Sequence, residues 1–170
     1  MVSTFFICRL DAIKNKMRIM NSILKKLSYK DQNPVLILNA PEEYSPILKE
    51  FSSQVDLEVK GKYNFIQVFA IDSKEAERLT KKVFKAIGDK ALLWFCYPKG
   101  TSKKYKSDIK RDNCAKLFAE KNYEPVAQIA IDEDWSAMRF KSVDAIKTMK
   151  RKSAFSEEGK KRIARTSKKK

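Results

Sequence analysis

Histidine is absent from this chain of 170 residues, and that one absence removes whole classes of chemistry. Without an imidazole there is no Ser-His-Asp or Cys-His nucleophile activation, no histidine general base and no histidine-containing metal site. Cysteine is scarce as well. Cys8, Cys96 and Cys114 form no C-x-x-C pair, which argues against a zinc ribbon or a thioredoxin-like site. An odd, sparse count fits a reduced, cytoplasmic protein better than a disulfide scaffold. Cys96 lies in an apolar run and Cys114 on an expected helix, so both read as small buried hydrophobes rather than nucleophiles. With 4 glycines and 5 prolines, collagen-like and low-complexity chains are excluded. No solenoid-like period occurs. There is no G-x-x-x-x-G-K-[ST] loop and no strand ending in G-x-G-x-x-G, so a Walker A site is absent and a standard dinucleotide fold is disfavoured. The apolar stretch at 2–10 is interrupted by Cys8-Arg9 and is too short for a bilayer. It lacks the flanks of a signal peptide. No membrane span, metal or cofactor is expected.

What the chain has in excess is positive charge. Lys and Arg number 37 against 21 Asp and Glu, a net +16. A hydrophobic fraction of 43% with 10 Phe, 6 Tyr and 2 Trp supplies material for a packed core in a single domain. The charge is unevenly placed. Residues 31–98 hold nine basic and ten acidic side chains, whereas 99–111 hold six against one, 1–30 hold seven against one and 142–170 hold eleven against three. The excess lies in two flanks and one loop. The blocks Lys160-Lys161-Arg162 and Lys168-Lys169-Lys170 are of the kind that polyanions attract by counterion release, or they form a solvated tail that aids solubility.

Periodicity orders the elements. Met20, Ile23, Leu24 and Leu27 have helical spacing. The unbroken apolar run 35–38 reads as a strand covered on both faces, and Ser45-Pro46 opens a helix to about Ser53. Residues 56–60 alternate, with Leu57 and Val59 on one face. A turn at 61–64 then leads to a strong strand at 65–71, the two reading as a hairpin. Asp72 and Glu75 form a capping box for a helix striped by Ala76, Leu79, Val83, Phe84 and Ile87, with Gly88 as its C′ residue. The run 91–97 is a central strand ended by Pro98. Ser107 caps a helix bearing Ile109, Cys114, Leu117 and Phe118. Residues 125–131 and 135–141 form an antiparallel hairpin around Asp132-Glu133-Asp134. Ser142 caps a final helix with Val143, Ile146 and Met149. The fold class expected is α/β: a layered, mostly parallel sheet with antiparallel edge hairpins, flanking helices and a basic C-terminal tail. Residues 1–19 are a candidate non-native extension, with Met1, Met17 and Met20 as alternative starts. Residues 20–152 form the single domain, and 153–170 are expected to fray.

Two segments are candidates for function. Residues 99–111 follow a central parallel strand and lead to a helix N-terminus, where open α/β sheets bind ligands and helix dipoles favour anions. Lys99, Lys103, Lys104, Lys106 and Arg111, with Thr101 and Ser102, make it a candidate site for a phosphate, a nucleotide or a nucleic-acid backbone. The plain alternative is a solvated loop. The second segment, 131–140, carries three adjacent carboxylates that read better as an acidic turn receiving the loop than as a Mg²⁺ site. Here a bidentate pair of Arg139 with Asp108 or Asp112 is expected to lock loop to hairpin. If a pocket exists, Asp108, Asp112, Trp135 and Arg139 should line it.

The motifs Tyr97-Pro-Lys-Gly-Thr-Ser-Lys-Lys-Tyr105, Asp108-Ile-Lys-Arg-Asp112 and Val126-Ala-Gln-Ile-Ala-Ile-Asp-Glu-Asp-Trp-Ser-Ala-Met-Arg-Phe140 resemble a family of small bacterial proteins of unknown function. The resemblance runs from about Leu27 to Met149, with Met138 where Leu is more usual. It implies no activity. Three roles follow, in order. The first is a binding protein for nucleic acid or another polyanion at 99–111, with no membrane partner. The second is an interaction module held by the salt-bridge lock. The third is an enzyme acting on a phosphorylated substrate, with Asp108, Asp112 or Asp132 as acid or base and Lys99 as electrostatic stabiliser. No recognised catalytic arrangement supports the last.

Overall fold

The computed structural model describes residues 23–149 and 151–167. Expectations that fall on 1–22, including Cys8 and the alternative starts, and on Lys168-Lys169-Lys170 lie outside the described residues. A helical turn at 23–26 leads to β1, Val35–Leu38, whose four apolar residues are all buried. A 3₁₀ turn, Glu42–Tyr44, precedes α1, Ser45–Leu48, with proline in its first turn. Then come β2, Val55–Asp56, and β3, Tyr63–Phe69. Helix α2, Ser73–Ala86, is capped as its sequence predicts: Glu75 N donates to Asp72 Oδ1 at 2.8 Å. The Glu75 carboxylate reaches back to accept from Ile71 N at 2.9 Å. Strand β4, Ile87–Pro98, helix α3, Arg111–Ala119, strands β5, Tyr123–Ala130, and β6, Trp135–Ser142, and helix α4, Glu157–Ser167, complete the order.

The six strands form one sheet in the order β2-β1-β3-β4-β6-β5. The first four run parallel. β6 lies antiparallel to both β4 and β5. This is the expected α/β class, a mostly parallel sheet with antiparallel edge strands and helices on its faces. Side chains alternate across it. Leu36, Ile66, Val68, Leu93, Phe95, Met138 and Phe140 face α2 and α3. Val35, Ile37, Phe65, Phe69, Trp94, Cys96, Trp135 and Ala137 face Leu27, Tyr44, Ile47 and Phe51. Trp94 Nε1 donates to Leu27 O at 2.9 Å, which ties the 23–27 segment to the sheet centre. Each large apolar side chain so buried contributes roughly 1.5–3 kcal/mol. Cys96 and Cys114 are buried, and burial pushes both thiols up. No helix among the described residues is long and apolar enough to cross a membrane.

Several local expectations differ. The hairpin of 56–60 with 65–71 does not form: β2 is two residues long and pairs with β1 in parallel, Val35 opposite Val55. Both sides of β3 are taken by β1 and β4, so Leu57 and Val59 remain 57% and 38% exposed. Gly88 is not a helix cap. Ile87 ends α2 in an extended conformation and begins β4, and a Cβ on Gly88 would stand 2.9 Å from Tyr63 O. Helix α3 starts at Arg111, because the Ser107 hydroxyl accepts from Ile109 N at 3.1 Å in a local turn. The helix expected after Ser142 is a single 3₁₀ turn, Val143–Ala145, with no side-chain cap. The stretch expected to fray from 153 carries α4 instead. It is anchored because the buried Glu124 carboxylate accepts from Ser156 N at 2.6 Å and Ser156 Oγ at 2.5 Å.

Candidate functional site: two basic regions at opposite ends of β6

The loop 99–110 lies before β6 and is largely committed to its own protein. Lys99 N donates to Asp134 O at 2.7 Å and Lys99 Nζ to Asp132 O at 2.5 Å. Ser102 Oγ donates to Asp134 Oδ1 at 2.6 Å and accepts from Tyr105 N at 3.0 Å. The acidic turn is organised by Asp132 Oδ1, which accepts from Asp134 N and Trp135 N at 2.8 and 2.7 Å. Across the sheet edge, Glu43 takes an ion pair from Lys104 at 2.9 Å and a hydrogen bond from Tyr105 OH at 2.5 Å. Burial works to raise the Glu43 pKa, but the bonds from Tyr105 and Lys104 outweigh it and hold the carboxyl at about 2. The Tyr105 ring then packs 5.0 Å from that of Trp135.

The crevice where the chain reverses, between the carboxyl ends of β1 and β3, is bridged. Asn39 Nδ2 donates to Phe69 O at 3.1 Å. Beneath it Tyr44 OH donates to Gln67 Oε1 at 2.8 Å, and Gln67 Nε2 to Cys96 Sγ at 3.3 Å. Lys99, Ser102 and Lys104 therefore spend their polar groups internally. Thr101, Lys103, Lys106 and Arg111 are exposed, and none of these three cations forms an ion pair among the described residues. The lysines do not crown a helix N-terminus, since α3 begins only at Arg111.

The salt-bridge lock does not form. Arg139 shares a sheet face with Trp135 and Ala137, opposite Trp94 of β4. Asp108 and Asp112 lie on the other side. Asp108 accepts from Ser73 N at 2.8 Å, a bond that lowers its pKa, and Asp112 sits in the first turn of α3, where it complements the dipole. Two-residue alternation thus separates the proposed partners. Trp135 is 2% exposed and packs on Phe69 and Tyr105, so the four residues line no common pocket. Of the acids expected beside Lys99, Asp108 is held away at Ser73 N, whereas Asp132 is near and offers Lys99 Nζ its backbone oxygen.

Arg139 instead opens into a cleft of about 610 Å³ at the other end of β6. Its floor includes Pro125, Ala127, Arg139 and Lys141. Its far wall includes Lys147 and Arg151. Among the described residues no Asp or Glu lines it. Arg139 Nε is buried with no hydrogen-bond partner, and burial lowers the guanidinium pKa without approaching neutrality at pH 7. The wall is pinned from behind. Arg151 donates through Nη2 to Glu124 Oε2 at 2.7 Å and through Nη1 to Pro125 O at 2.9 Å. Arg162 of α4 donates to Val143 O at 2.7 Å and Lys147 O at 2.9 Å. Sequence reasoning named Arg139 but missed Lys141, Lys147 and Arg151. Lys141 was within reach as the next residue on Arg139's face; nothing local joined 147–151 to β5. Among the described residues no group of three or more Cys, Asp or Glu is placed to hold a metal ion.

No protein-family model matches the chain, and no curated protein matches it. Solved structures of similar path exist at low identity. One is the ribosomal protein L11 methylase from Lactobacillus delbrueckii subsp. bulgaricus, with TM-score 0.45, 9% identity and coverage of 74% of this chain and 77% of that one. Another is the B. subtilis M1A22 tRNA methyltransferase TrmK, with TM-score 0.44 and 7% identity over 72% of this chain; the match spans 64% of that chain. A third, from Streptococcus agalactiae, is described as a protein in the NADB-Rossmann superfamily, with TM-score 0.40, 9% identity and coverage of 73% and 67%. The likeness concerns the fold alone.

Proposed function

We propose that this α/β protein binds a phosphate-bearing anion in the cleft of Arg139, Lys141, Lys147 and Arg151. The observation that carries the reading is a cleft lined by four cations and no carboxylate, one of them with a buried N–H that has no partner. Arg139 lines the cleft, and its guanidinium stays charged at pH 7, so an anion there would meet a cation that no internal carboxylate holds. Arg151 is half spent on Glu124, which fixes its guanidinium at the rim. On the loop, Lys103, Lys106 and Arg111 remain for a supporting role: they add to the field that draws anions in. This moves the expected site from 99–111 to the far end of β6, while the ligand class stays the one that the charge distribution suggests.

The test is fluorescence anisotropy with a labelled oligonucleotide, repeated between about 50 and 200 mM salt. Four neutralised phosphates give a slope of about −3.6 in log K against log salt, roughly a hundredfold loss across that range. Arg139→Gln should lower both affinity and slope. The reading is overturned if no salt-sensitive binding is seen, or if Arg139→Gln leaves it unchanged.

A further inference from the structure

The cleft has a counterpart on the opposite face of the sheet. A smaller hollow of about 140 Å³ is lined by Arg111, Gln128 and Met138, together with Pro125, Val126 and Ala127. These last three also line the large cleft. Met138 faces α3 and Arg139 faces away from it, so the two hollows lie back to back. They are divided by residues 125–127 of β5, the outermost strand. Among the described residues that strand pairs only with β6, and residues 126–128 are exposed. Cations therefore flank a protruding sheet edge on both sides: Arg111 on one, Arg139 and Lys141 on the other. The acidic group nearest Arg111 in sequence, Asp112, is exposed beside it on the first turn of α3.

Resting on the cleft reading, we infer that the ligand is double-stranded nucleic acid gripped by its phosphates on both sides of β5. A single phosphate fills one hollow and leaves the other idle, whereas a backbone that passes the strand edge meets both. Neither hollow is lined by an aromatic side chain, so the stacking platforms that hold single-stranded bases are missing. Contacts to phosphate position a duplex without reading its sequence. An added peptide strand is the other occupant an open edge invites. Here Pro125 has no N–H to offer, the ladder is irregular between Pro125 and Ala127, and Arg151 already takes the Pro125 carbonyl. Edges with proline, a bulge and flanking cations resist strand addition.

The experiment uses the full chain and four probes: a labelled duplex of about 20 base pairs, the same strand alone, a nucleoside monophosphate and inorganic phosphate. The duplex should bind about tenfold more tightly than the single strand. The two small anions at millimolar concentration should fail to displace it. Arg111→Gln and Arg139→Gln should each reduce the salt slope by about one, and Arg139→Lys should retain most of the slope. Thermal melting of each variant checks that it is folded. If Arg139→Gln weakens binding and Arg111→Gln does not, or if the single strand or a small anion binds as well as the duplex, the two-sided grip is overturned while the cleft reading stands. If none of the four probes binds, both fall.

Discussion

The loop at 99–110 and the cleft at 125–151 are both rich in lysine and arginine, and each pairs one cation with one carboxylate, yet the fold arranges the rest of their charge differently. At the loop, Glu43 pairs with Lys104, Lys99 Nζ reaches the Asp132 backbone oxygen and Ser102 Oγ the Asp134 carboxylate; these contacts dock a crossing segment over the sheet, while Lys103, Lys106 and Arg111 stay exposed. At the cleft, one acidic side chain, Glu124, anchors one cation, Arg151. The others face open volume. The lesson is that a count of cations measures potential only before folding. What draws a ligand is the charge left after internal partners are served; toward the end of β6 that charge gathers around one cleft, and before its start it is spread over an exposed loop.

The largest predicted contrast is in stability. Glu124→Ala takes the acceptor from Arg151, Phe155 N, Ser156 N and Ser156 Oγ, and should cost about 3 kcal/mol in urea denaturation. Glu43→Gln, at the loop, should cost under about 1 kcal/mol. Equal losses would break the comparison. Gly159→Ala comes next. Its Cβ would stand 2.7 Å from Glu124 Oε1 and 2.8 Å from Ala154 Cβ, an overpacking worth about 2 kcal/mol. In binding, Arg139→Gln should weaken a labelled duplex about tenfold, or 1.4 kcal/mol. Lys104→Gln should change it less than about twofold, since its charge is already spent on Glu43; the reverse order would place the site back on the loop.

The smallest effect is a response to acid. Glu43 is lowered from 4.5 to about 2. A depressed carboxylate stabilises the folded docking above its ordinary value, and that contribution is lost as pH falls from 4.5 through about 2. Loosening of Tyr105 from Trp135 should appear in tryptophan fluorescence over that window and be absent from Glu43→Gln.

Strands β1, β3 and β4 were legible because apolar runs and alternation are local signals, and α2 was legible from its stripe and its capping box. The partner of a strand is not local. Alternation in 56–60 shows that Leu57 and Val59 share a face, but not that Val55 pairs with Val35. The start of β4 at Ile87 was hidden because the chain passes from helix to strand with no loop, leaving Gly88 to imitate a cap. The same division governs the site. Arg139 stood out as a cation inside a strand, and period two already puts it on the face of Trp135 and Ala137, away from any helix on the Met138 side. The expected pair with Asp108 or Asp112 ignored that constraint. Arg151 and the anchoring of α4 could not be read, because Glu124 reaches Arg151 and Ser156 across 27 and 32 residues of chain; Lys147 could not either, since Arg162 holds it from 15 residues further on.

Protein chains grow from the amino end, and this gives the Glu124 anchor an order in time. When β5 and β6 first leave the ribosome, the Glu124 carboxylate has none of the partners that hold it, for Ser156 is still to be made. The wall of the cleft likewise waits for Arg162 to clasp Val143 and Lys147. The sheet can assemble early; the cleft matures only with the last helix. A message truncated between codons 143 and 150 would therefore yield a protein with its core in place, an acid at its edge without Arg151 or Ser156, and no cleft.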